Sequence, residues 1–81
     1  MVTPDSIRSS LLSGLPCEHV EVTGDGQHFA AIIVSAAFAG LPRVKQHQLV
    51  YAALGDRMRE EIHALSMQTL TPEQWADRAH G

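Results

Sequence analysis

The stretch EHVEVTGDGQHFAAIIVS, residues 18–35, decides the fold. Over 18–23 it alternates, with Val20 and Val22 on one side and Glu21 on the other, the period-two pattern of a half-buried strand. Gly24-Asp25-Gly26 is a turn signal, because glycine tolerates the positive φ that tight hairpin turns require. HFAAIIVS, residues 28–35, is apolar on both faces, as befits a strand with neighbours on either side. The segment therefore reads as an antiparallel hairpin whose second strand is central.

Working outward, Thr3 is placed to cap a helix, with Pro4 at its first position and Asp5 in its first turn. Ile7, Leu11, Leu12 and Leu15 recur at helical spacing, and Gly14 and Pro16 end the run. Downstream, AAFAGLP (36–42) is an irregular connection. A second helix is expected from about Arg43 to Glu60, with an apolar stripe of Val44, His47, Tyr51, Leu54 and Met58 and with Val50 beside it. Gly55 is a point where that helix weakens or bends. A third strand covers about 64–70. Thr71 then caps a last helix opened by Pro72, with Gln74 in the capping-box position. Trp75 is expected to anchor that helix on the core.

The order α-β-β-α-β-α makes an α+β domain with a three-stranded sheet. A strand–helix–strand crossover leaves its strands parallel and right-handed, so the sheet is mixed. A second helix of the expected length runs about 27 Å at about 1.5 Å per residue, enough to return the chain along the sheet. Strands two and three then start at the same edge. His28 opens one and His63 immediately precedes the other, so the topology brings two imidazoles to one sheet edge. An intervening first strand would widen the gap by about 5 Å.

Composition narrows the classes. The 81 residues form one domain, 1–81, and 44% hydrophobic with 19% charged content fits a globular chain. The net charge of −3 is a poor match to nucleic acid and leaves Arg43 and Lys45, at the start of helix two, as a thin cationic footprint. The single cysteine, Cys17, excludes an intramolecular disulfide and a four-cysteine metal site. It also points to a reducing compartment, hence to the cytoplasm. No basic stretch leads into an apolar one near the start, and no apolar run is long enough to span a membrane. Cys17 follows a helix C-terminus and precedes Glu18, so nothing activates its thiol. No nucleophilic triad, P-loop or dinucleotide fingerprint is present, and Gly24-Asp25-Gly26 leads into a strand rather than a helix. Nothing specific supports an enzyme.

Two histidines at one edge suit metal binding or proton transfer, but they complete no site, because zinc takes four ligands, or three and water. Asp25 and Glu60 or Glu61 are the nearby carboxylates that could add ligands or orient imidazoles. The plainer readings stand alongside: His28 as a solvated loop residue and His63 as a structural histidine bonded to a carbonyl. His47 falls on the apolar stripe and reads as a boundary residue, with His19 and His80 on the surface.

Several stretches carry a family resemblance: TGDGQHF leading into strand two, FAGLPRVKQHQLVY opening helix two, and IHALSMQTLTPEQW at the end. Phe38 and Gly40, Val50-Tyr51, Ile62-His63-Ala64-Leu65, Thr71-Pro72 and Trp75 together resemble the BolA family over about residues 5–76. The GDGQHF loop looks like the family's IbaG branch. The resemblance implies a fold like the class II KH domain and partnership with monothiol (CGFS-type) glutaredoxins. It further implies a [2Fe-2S] cluster bridging the partners, with thiolates from the glutaredoxin and from glutathione. His63 matches the histidine ligand near the C-terminal strand, and His28 matches the second ligand position in the loop before strand two. No cluster is expected on the isolated chain, which would be a monomer or weak homodimer. Histidine in place of thiolate raises the potential of such a cluster and makes ligation sensitive to pH near neutrality. The shared cluster would serve iron–sulfur cluster trafficking or iron and stress regulation. The rival expectation is a KH-like DNA-binding transcriptional regulator using Arg43 and Lys45. Against it, no Gly-x-x-Gly loop lies between helices.

Overall fold

The first and last helices begin with the same device. The computed structural model describes residues 2–55 and 64–80. In it, Thr3 Oγ1 accepts from the Ser6 amide and Ser6 Oγ accepts from the Thr3 amide, both at 3.1 Å, starting α1 at Pro4–Gly14. Gln74 Oε1 accepts from the Thr71 amide at 2.9 Å and Thr71 Oγ1 accepts from the Gln74 amide at 3.2 Å, starting α3 at Pro72–His80. Each reciprocal pair satisfies amides that have no partner inside the helix. Between them lie β1 (His19–Gly24), β2 (His28–Val34), a single 3-10 turn (Ala36–Phe38), α2 (Arg43–Leu54) and β3 (Ala64–Leu70). The architecture is α+β with a mixed sheet.

The sheet order is β1-β2-β3. β1 pairs antiparallel with β2, and β2 pairs parallel with β3 in an unbroken register from His28↔Ala64 to Val34↔Leu70. The doubly apolar β2 is the central strand, as its composition requires. No strand separates β2 from β3, so their starts are level.

One face of the sheet carries the core. Val20, level with Ile33, shares a face with Phe29, Ala31 and Ile33, and these pack with Ile7, Leu11 and Leu15 from the first helix and with Val50 and Leu54 of α2. Phe38, wholly buried, plugs the core from the 3-10 turn. Ser35 is buried as well, but its hydroxyl donates to Pro16 O at 2.7 Å and accepts from the Ala37 amide at 3.1 Å, so it is fully employed. Gln46 ties α2 to the rest: its amide nitrogen donates to Phe38 O and Leu41 O, and its oxygen accepts from the Thr69 hydroxyl.

α2 differs from the expected helix in two ways. It ends at Leu54, where Gly55 takes a φ of 63° and its amide donates back to Tyr51 O at 2.9 Å. At 12 residues it is about 18 Å long, shorter than expected, yet still long enough for a parallel return. Its buried side is also rotated. Val44 is 67% exposed and Tyr51 43%, whereas Val50 and Leu54 are buried and Leu49 and Ala53 pack against the core. The sheet selects the 49/50/53/54 face, and the apolar side chains at 44 and 51 fall outside it. Met58, assigned to the same stripe, lies outside the described residues. In α1 likewise, Leu12 turns out to be exposed.

The opposite sheet face is covered at one end. Val34 has the parity of that face and is nevertheless wholly buried, beside Leu70, from which the chain turns into α3. Here Trp75 stacks on His19 with ring centroids 4.6 Å apart and planes at 22°. Trp75 thus anchors α3 on the face away from the core. At the free side of β1, Arg8 Nε donates to Val20 O at 3.3 Å. Among the described residues no helix is long and apolar enough to cross a membrane.

Candidate metal-ligating edge

The turn before β2 is built around one carboxylate. Asp25 Oδ1 accepts from the amides of Gln27 at 3.0 Å and His28 at 2.9 Å, and the Asp25 amide donates to His28 O at 3.3 Å. Gly26 takes a φ of 102°, which permits the reversal. Gly24 is needed for a different reason: a Cβ there would lie 2.7 Å from His28 O and overlap the Phe29 ring. The amide bonds, His28 first and then Gln27, hold the Asp25 carboxyl below its ordinary range. Asp25 therefore shapes the turn and fixes the backbone of His28.

The result is an exposed imidazole at the first position of the central strand. Its Cα partner is Ala64, the first residue of β3. The residue before Ala64 is His63, which lies outside the described residues together with Glu60 and Glu61. Among the described residues no three His, Cys, Asp or Glu side chains converge as a metal site. His28 by itself offers one accessible donor of a type that suits iron or zinc. An exposed, backbone-anchored imidazole fits a ligand in a set completed by other donors.

Cys17 is remote from it. It precedes β1, whose first residue pairs with the far end of β2. Its Sγ contacts Leu11 O at 3.9 Å, and partial burial pushes the thiol pKa up. A thiol kept protonated is a poor nucleophile and a poor ligand. Arg43 and Lys45 stand exposed in the first turn of α2, which has no side-chain cap and no acidic residue. Arg43 and the half-buried His47 flank a groove of about 330 Å³ against Met67–Leu70 of β3.

The pairing of His19 with Trp75 went unread in the sequence, where His19 appeared to be a plain surface residue. It is only half exposed, and its Nε2 is buried without a hydrogen-bond partner, 3.5 Å from Glu21 Oε2. The signal was present but indirect. His19 is level with Val34, Val34 is level with Leu70, and Trp75 lies one helical turn beyond Thr71.

These features define a small α+β protein with an exposed histidine turn beside a parallel strand pair. The family model of BolA-like proteins matches residues 8–74. The acid stress protein IbaG of Escherichia coli is 41% identical over 73 residues, covering 89% of this chain and 87% of that protein. The DNA-binding transcriptional regulator BolA of Haemophilus influenzae is 39% identical over 57 residues, 70% of this chain and 55% of that one. The crystal structure of a Bol-like protein from Babesia bovis superposes with a TM-score of 0.85 at 32% identity, covering 98% and 95% of the two chains. The chain belongs to the BolA family.

Proposed function

We propose that this protein acts by binding rather than catalysis, as the partner of a monothiol glutaredoxin with which it shares a bridging [2Fe-2S] cluster. His63 is the first ligand from this chain and His28 the second, with the remaining thiolates from the glutaredoxin and from glutathione. The observation that carries the reading is the parallel register of β2 with β3. It sets the exposed His28 level with Ala64, the residue that follows His63. A histidine-ligated [2Fe-2S] cluster, when bound, supplies a redox-active and exchangeable iron–sulfur unit of raised potential. The name of the Escherichia coli relative, an acid stress protein, supports a role in the response to stress; the partnership itself serves iron–sulfur cluster trafficking or iron regulation.

DNA binding is the second reading, favoured by the name of the Haemophilus relative and by Arg43 and Lys45. Two exposed cations on a chain of net charge −3 make a weak electrostatic footprint. Visible circular dichroism of the protein mixed with cluster-loaded glutaredoxin and glutathione separates the two. A new cluster spectrum that His63→Ala abolishes and His28→Ala alters is the expected result. An unchanged spectrum with the unsubstituted chain overturns the proposal, and binding to DNA that weakens steeply with salt would favour the rival.

A further inference from the structure

Both backbone polar groups of His28 bond to a single residue. Its N–H donates to Asp25 Oδ1 at 2.9 Å, and its C=O accepts from the Asp25 N–H at 3.3 Å. The same Oδ1 accepts from the Gln27 amide at 3.0 Å, so one carboxylate oxygen and one amide close the whole turn. On the other side of His28, Phe29 is buried in the core. Alternation along β2 sets His28 on the opposite face, together with Ala30. The Cα that carries the imidazole is thereby held from both directions, while the residue itself stays exposed.

This geometry decides between two roles that the sequence leaves open for Asp25, a ligand or a group that orients one. Oδ1 is already shared by two N–H donors, and a metal ion on it would compete with both. As an orienting group, Asp25 is well placed. A ring on a fixed Cα reaches only the positions that its χ1 and χ2 allow. A ring on a mobile loop has to be ordered when the metal binds, and the entropy lost in that ordering opposes ligation. In many metal sites a neighbouring group orients a ligating histidine through its second ring nitrogen. In this turn the constraint acts on the backbone.

We infer that Asp25 is the positioning residue for His28 as an iron–sulfur ligand. It touches no iron, and its bonds set the turn in the ligating conformation before a cluster arrives. The inference rests on the cluster-sharing reading of His28 and adds the residue that determines how tightly the loop ligand holds. Alanine at position 25 removes the acceptor. Asparagine keeps an oxygen there and is equally suited to a side-chain-closed turn.

The test is a titration of cluster-loaded monothiol glutaredoxin and glutathione, followed by visible circular dichroism. The unsubstituted chain, Asp25→Ala, Asp25→Asn, His28→Ala and the Asp25→Ala/His28→Ala double variant are compared. Asp25 is exposed and lies outside the core, so the fold should survive, and urea unfolding checks this for each variant. Asp25→Ala should weaken formation of the bridged complex about ten- to a hundredfold, the usual effect of losing a group that orients a ligand. Asp25→Asn should recover most of that loss. In the His28→Ala background Asp25→Ala should have no further effect, because the ligand it positions is gone. A purely structural role would weaken the complex equally in both backgrounds and would overturn the inference, as would an Asp25→Ala chain that binds like the unsubstituted one. Either result leaves the cluster-sharing reading intact. An Asp25→Asn variant as weak as Asp25→Ala would assign the effect to charge and would also overturn the positioning role. If the unsubstituted chain forms no bridged cluster, both readings fall together.

Discussion

Replacing Trp75 with alanine removes the contact that holds α3 on the sheet. The indole is half-buried and stacks on His19 at 4.6 Å. Burial of about 100 Å² at about 25 cal/mol per Å² contributes about 2.5 kcal/mol, and the stack itself adds about 1 kcal/mol. Val34, level with the stacked His19, is wholly buried at this end of the sheet. A loss of about 3 kcal/mol is expected, a large share of the about 5–15 kcal/mol typical of a folded domain. Trp75 is the sole tryptophan, so urea unfolding is followed by far-ultraviolet circular dichroism instead of fluorescence. His19→Ala and the double variant complete a mutant cycle, with an expected coupling of about 0.5–1.5 kcal/mol. Additivity within about 0.3 kcal/mol would show that the rings do not interact and would refute the assigned role of His19.

Two further substitutions probe the turn and the interior. The Asp25 carboxyl is held below its ordinary pKa by the His28 and Gln27 amides, so its contribution is present above the unfolded value and lost as pH falls through the folded one. In acid the Gln27 and His28 amides should therefore lose protection relative to their intrinsic exchange rates and shift by NMR, and Asp25→Asn should abolish that pH dependence while keeping an acceptor. Ser35→Ala leaves the Pro16 carbonyl and the Ala37 amide without their buried partner, and chemical denaturation should show a loss of about 1–3 kcal/mol. A loss below about 0.5 kcal/mol would mean that both groups find water.

The hairpin, both capped helices and the parallel return were legible because each rests on local chemistry: alternation in EHVEVT, glycines around Asp25, and threonine before proline. The buried side of α2 was not legible. Val44 and Tyr51 are apolar enough to suggest a stripe, and only the position of the sheet rejects them. Gly55 did announce a break, but a bend and an end look alike until its φ of 63° is known. Of the candidate site, the level placement of β2 and β3 followed from topology, and His28 stands where that placement puts it. The task of Asp25 was hidden, since a carboxylate that bonds to backbone amides looks in sequence like one that is free to bind metal. His19 and Trp75 are joined only through the registers of two strand pairs, which no local pattern encodes.

Arg8 guards an edge. A strand whose outward amides and carbonyls stay open can take on another chain, and a heterologous contact that does not close becomes a fibre. Here the Arg8 side chain fills an acceptor on β1, so a strand from another molecule cannot continue the sheet on that side without displacing it. One arginine on the first helix thus keeps the outer strand from serving as a template.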